Sequence, residues 1–134
     1  VAIPLLMGNT IRARATEAEA ALGTIRAAMR TVLAEHNVYN PNPPGTITAG
    51  ALVAGNVPGF RARAGGVAGD LDGTYFSQEC FRITAVAANT FTITCTWNSS
   101  DPVLGIFTPR ATDVNTTGNT TAINELGTIT RTGY

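Results

Sequence analysis

A chain of 134 residues fits one domain with one modest core. Its hydrophobic share, 44%, excludes a disordered chain, while its charged share, 13%, is about half the usual level. Nine arginines balance nine acidic residues with no lysine, so the net charge is zero. That balance gives no electrostatic footprint for nucleic acid, and a surface with little self-repulsion tolerates association with copies of itself.

The first seven residues, Val1-Ala2-Ile3-Pro4-Leu5-Leu6-Met7, form an apolar stub. A bilayer crossing needs about 20 apolar residues, so the stub reads as the end of something longer. No basic leader or cleavage site accompanies it.

Gly8 to His36 is predicted as one long helix, with Asn9 or Thr10 as its cap. Ile11, Ala15, Ala18, Leu22, Ile25, Met29 and Val32 follow one another at alternating steps of four and three, which makes a continuous apolar stripe. At roughly 1.5 Å per residue such a rod is about 43 Å long. Ala13, Ala20, Ala27 and Ala34 recur every seven residues and lie roughly opposite the first stripe. Two readings of that second stripe stand. It is a solvated surface rich in a good helix former, or a ridge of small residues on which another helix packs. Arg12, Arg26 and Arg30, relieved by Glu19, occupy one flank; Glu17 and Glu35 occupy the other.

Asn40-Pro41-Asn42-Pro43-Pro44-Gly45 ends the helix, since proline cannot continue it. Residues 46–73, rich in Gly and Ala with no clear period, are expected to form a long surface loop, with at most a short turn of helix or strand near Ala51–Val53. From Thr74 the period changes to two: Phe81, Ile83 and Ala85 alternate with Arg82 and Thr84, and Phe91, Ile93, Cys95 and Trp97 alternate with Thr92, Thr94 and Thr96. These are strands joined through Val86-Ala87-Ala88-Asn89 as a hairpin.

The two cysteines, Cys80 and Cys95, are too few for a thiolate metal site and read as one disulfide, hence an oxidising compartment. With Ala87 and Ala88 at the hairpin tip the two stand directly opposite each other, within reach of a bridge. The same register sets Phe91 and Ile93 on one face with Arg82 and Thr84, a conflict that a longer loop or a bulge relieves. After a second loop, 98–120, the segment Thr121–Tyr134 is expected to form one or two short strands turning near Gly127. The expected fold is α+β over residues 1–134 as a single domain: a stub 1–7, a helix 8–36, a loop 37–73, and a small antiparallel sheet with its loops over 74–134. Ile11, Leu22, Ile25, Met29 and Val32 would join helix to sheet.

The order of stub, long helix, Gly-rich loop and disulfide-bearing sheet resembles type IV pilins and the pseudopilins of type II secretion. Ala2-Ile3-Pro4 resembles the junction of the family's apolar arm with its amphipathic helix. Glu17-Ala-Glu-Ala-Ala-Leu-Gly-Thr-Ile-Arg26 resembles that helix, and Gly69-Asp-Leu-Asp-Gly-Thr-Tyr-Phe76 resembles the passage into the first strand. Phe91-Thr-Ile-Thr-Cys95 and Gly127-Thr-Ile-Thr130 resemble later strands. The family's aromatic first residue, its Glu four positions later and most of its apolar arm have no counterpart in this sequence. The resemblance implies that the sequence is a truncated piece of the protein, that the arm was removed, or that the arm belongs to another chain.

The resemblance implies a structural subunit of a helical surface filament, a homo-oligomer with no cofactor and no enzymatic activity. It would be extracellular, on a cell-surface pilus, and anchored in the inner membrane before assembly only through the arm. Ile3, Pro4, Ala13, Ala20, Ala27 and Ala34 are its expected assembly residues. A pseudopilin of a secretion apparatus is the nearer alternative. A small secreted module whose loops bind a ligand such as a glycan is the alternative from another class.

Other constellations are weaker. Asp70 and Asp72 supply two carboxylates in the style of a calcium loop, without the further oxygens such a site wants; a turn is the simpler role. His36 beside Glu35 sits where histidines interact with a helix C-terminus. Trp97 continues the apolar strand face and is expected in the core rather than in a binding surface with Tyr75 and Tyr134. Asn98, Asn115 and Asn119 each open an Asn-x-Thr or Asn-x-Ser triplet and are expected on exposed loops.

Overall fold

The computed structural model describes residues 2–42, 45–62, 64, 67–71, 73, 76, 78–97 and 119–133, and within the first helix the side chains of Arg12 and of residues 15–36. One α-helix packs on a four-stranded antiparallel sheet, an α+β architecture. The helix, α1, runs from Ala2 to His36, 35 residues, about 52 Å long. It begins six residues earlier than the sequence suggested. Pro4 is no obstacle there, because the first four N–H groups of a helix have no intrahelical partner and proline merely lacks one of them.

The helix ends at His36, as expected, and it is Asn37 rather than the proline cluster that caps it. Asn37 takes φ 63°, a left-handed conformation that asparagine adopts more readily than most residues. Its N–H donates to the Leu33 carbonyl at 2.7 Å, which closes the last turn as an αL cap. The chain then turns back at once. Tyr39 is buried, its N–H donates to the Ala88 carbonyl at 2.9 Å, and its ring meets Phe91 edge-on at 4.8 Å.

The strands are β1 (Phe81–Val86), β2 (Phe91–Thr96), β3 (Thr120–Asn124) and β4 (Ile129–Thr132), in spatial order β1-β2-β3-β4. The conflict in the first hairpin is relieved by both available devices. Residues 87–90 form a four-residue link closed by Ala87 N–H to Thr90 C=O at 2.8 Å, and β1 bulges between Ile83 and Ala85. The bulge leaves Thr84 unmatched, so Phe81 and Ile83 face inward opposite Cys95 and Ile93 while Ala85 turns out to solvent. The expected inward placement of Ala85 is thus corrected. The longer link and the bulge together leave the register one residue from the expected one: Phe81, not Cys80, stands opposite Cys95. Cys80 closes a short 3-10 turn, Gln78–Cys80, just before β1, and both cysteines are buried with no disulfide joining them.

The segment expected as a surface loop contributes much of the core. Ile47, Val53, Ala54, Val57, Phe60 and Leu71 are all buried. Gly50 N–H and Val53 N–H donate to the Ile83 and Phe81 carbonyls at 2.6 and 3.2 Å, and Ile83 N–H donates to the Ala51 carbonyl at 2.8 Å. This stretch therefore covers the outer edge of β1, whose backbone groups would otherwise be unpaired. It lacks a hydrophobic period because its side chains reach the core from irregular backbone, held by turns rather than by a ladder. The tail behaves as expected: β3 and β4 turn at Gly127, with φ 83°.

Candidate assembly surface

The inner face of α1 is set by its apolar stripe. Ala18, Leu22, Ile25, Met29 and Val32 are essentially inaccessible, Ala15 is half-buried, and the stripe packs on β2 and β3. Ile11, like Ile3, Pro4 and Ala13, lies outside the described side chains. Two polar contacts from the rim of that stripe hold the helix against the far side of the sheet. Arg131 on β4 donates through Nε and Nη2 to Glu19 Oε1, both at 2.5 Å. Arg26 donates through Nε to the Glu125 carbonyl at 3.2 Å and lies against Gly127 in the β3–β4 turn. These partners were not foreseen, because strand and helix residues about a hundred positions apart leave no trace in local spacing.

The outer face is different. Ala20, Ala27 and Ala34 are exposed, and so are Thr16, Gly23, Thr24 and Thr31 between them. The three threonines turn their hydroxyls back onto the helix: Thr16, Thr24 and Thr31 Oγ1 donate to the carbonyls of Arg12, Ala20 and Ala27 at 2.9, 3.1 and 3.2 Å. Their hydroxyl protons are thereby satisfied within the helix, and the face presents methyl groups with little relief. Small residues of this kind let a second backbone approach closely.

Charges line both margins of that face. Arg12 and Arg30 are exposed on one margin, and among the described residues neither side chain has a hydrogen-bond or ion-pair partner. Glu17 and Glu35 lie on the other. Beside Glu17 a cavity of about 290 Å³ opens between α1 and the loop before β1. Its wall is Ala21, Leu71, Phe60, Phe76 and Phe81, and its carboxylates are the half-buried Glu17 and the exposed Asp70. The Glu17 carboxylate packs so close on Gly73 that a Cβ there would collide with it.

Asp70 has a local task. Its Oδ2 accepts from Arg61 N–H at 2.8 Å while its own N–H donates to the Arg61 carbonyl at 3.0 Å, which pins the loop. Asp72 lies outside the described residues. Among the described residues no three His, Cys, Asp or Glu side chains converge as metal ligands. His36 is exposed in the last turn of α1.

Trp97 is wholly buried, with Nε1 donating to Thr121 Oγ1 at 3.3 Å; Tyr75 and Tyr134 lie outside the described residues. Of the three asparagine triplets, Asn98 and Asn115 also lie outside them. Asn119 is buried, and its carbonyl accepts from Trp97 N–H at 2.8 Å, so this triplet opens a strand and is no exposed acceptor. No described helix is long and apolar enough to cross a membrane.

No family model matches the chain, and no curated protein or solved structure is significantly similar to it.

Proposed function

We propose that the chain is the structural subunit of a helical surface filament of the type IV pilin kind. One observation carries the proposal. A helix of 35 residues is buried along one stripe by its own sheet, while its described opposite face, Ala20, Gly23, Ala27 and Ala34, is small, smooth and open. A two-sided rod of this sort holds its own domain on one side and offers the other to sister rods. The low charge density and zero net charge support the same conclusion, since copies crowded along a fibre repel one another little. On this proposal the chain works outside the cell, reaches its fibre through an apolar arm anchored in the inner membrane, and needs no cofactor. A pseudopilin role would use the same two-sided helix.

The proposal retains the Cys80–Cys95 bridge as a product of export to an oxidising compartment. Cys80 is the chain neighbour of Phe81, the residue facing Cys95, and both thiols are buried beside the same strand pair. Mass spectrometry of the protein taken from its native compartment without reductant should show a molecule lighter by two hydrogens; two free thiols there would remove the bridge.

The assembly surface is tested by Ala27→Arg. A guanidinium on the smooth face should leave helix content and unfolding midpoint unchanged, because Ala27 is exposed in the monomer, and should abolish or shorten the fibres. Normal fibres from that variant would argue against the small-residue face as the contact.

A further inference from the structure

The two charged margins of α1 carry the same spacing. Arg12 to Arg30 and Glu17 to Glu35 are each eighteen residues apart, which at about 100° per residue is five complete turns. Each pair therefore lies in line along the rod, and the two lines are separated by about 140° around it, with the smooth face between them. Sliding a second parallel helix by five residues, about 7.5 Å, brings both arginines of one rod level with both glutamates of the next at the same time.

Orientation follows from handedness. An antiparallel neighbour set face to face brings arginine margin onto arginine margin. An antiparallel neighbour set side by side brings like margins together as well. Only parallel rods bring the unlike margins into contact.

Building on the filament proposal, we propose that α1 binds a second copy of this chain in parallel, staggered by about five residues or 7.5 Å, with Arg12 and Arg30 of one copy paired to Glu17 and Glu35 of the next. Arg12, Arg30 and Glu35 are exposed, and Asp70 adds a second carboxylate beside Glu17 at the cavity. Glu17 keeps its packing on Gly73, and a carboxylate has about four acceptor positions to share. The contact is heterologous: the margin used toward one neighbour differs from the margin used toward the other. Such a contact does not close on a pair, and repeated with an axial step it propagates as a helix.

The test is a charge-reversal exchange on the full chain, read by sedimentation velocity at low ionic strength. The double variants Arg12→Glu/Arg30→Glu and Glu17→Arg/Glu35→Arg should each weaken self-association by about tenfold or more, since each sets like charges against like. An equimolar mixture of the two should recover association to near the wild-type level, and added salt should weaken the wild type. Circular dichroism checks that each variant keeps its helix. Should reversal at Glu17 disturb the fold, Arg30→Glu and Glu35→Arg, both at exposed positions, repeat the exchange. Reversed variants that associate as well as wild type, or a mixture that recovers nothing, overturn this pairing and leave the filament proposal standing. A wild-type chain that stays monomeric at every concentration overturns both.

Discussion

Leu22 sits in the middle of the buried stripe of α1 with no exposure to solvent. Truncating it to alanine removes apolar contact and leaves a void against the sheet, so Leu22→Ala should lower stability by about 2–5 kcal/mol in urea unfolding. Ala27→Arg on the opposite face should cost almost nothing by the same measurement. Asn37 tests the helix end. At φ 63° a β-branched residue is strained, and Asn37→Val should cost about 1–2 kcal/mol, while Asn37→Gly should be neutral or stabilising.

The stripe was legible because a helix imposes one period on every residue in it, and Leu22, Ile25, Met29 and Val32 obey it. Asn37 was not. Asparagine ends a helix only if the following chain has somewhere to go, and here Tyr39 must find Phe91 across fifty residues of sequence. The burial of Asn119 was missed for a similar reason: an Asn-Thr-Thr triplet carries no local sign that it opens a strand.

At the scale of elements, the first hairpin shows what a period-two pattern leaves open. Alternation in β1 and β2 identified both strands but put Phe91 and Ile93 on the face of Arg82 and Thr84, and the four-residue link together with one extra residue in β1 reconciles them. Thr84 is that residue; its hydroxyl donates to the Thr92 carbonyl at 3.1 Å and lies 3.0 Å from Thr94 Oγ1. Both strands stay in phase with the core at the cost of one unpaired position.

The β3–β4 turn is the element on which the helix leans. Asn124 Oδ1 accepts from Leu126 and Thr128 N–H, both at 3.0 Å, and Gly127 takes φ 83° against the Arg26 guanidinium. Gly127→Ala should therefore cost about 1–2 kcal/mol, from the left-handed backbone alone. The Glu19–Arg131 pair should contribute less. With Arg131 half exposed, a double-mutant cycle should give a coupling of about 1 kcal/mol or below. The loop over 46–71 was the least legible element. Glycine and alanine hide its few anchors, Val53, Val57 and Phe60, whose spacing fits no regular backbone.

Over the described residues, α1 is a rod with one side closed by its own sheet and one side open. That asymmetry was visible in the sequence as two stripes on one helix. Whether the second stripe was mere solvated alanine stayed undecided there, because exposure and packing between copies favour the same small residue in a monomer. Electron cryomicroscopy of surface fibres from cells producing this chain tests the central claim most directly. The filament proposal predicts density into which the chain fits with its sheet outward and α1 against parallel α1 helices of neighbours, Ala20, Ala27 and Ala34 at the contact. Fibres in which those residues face solvent, or cells that secrete the chain only as a monomer, would contradict it.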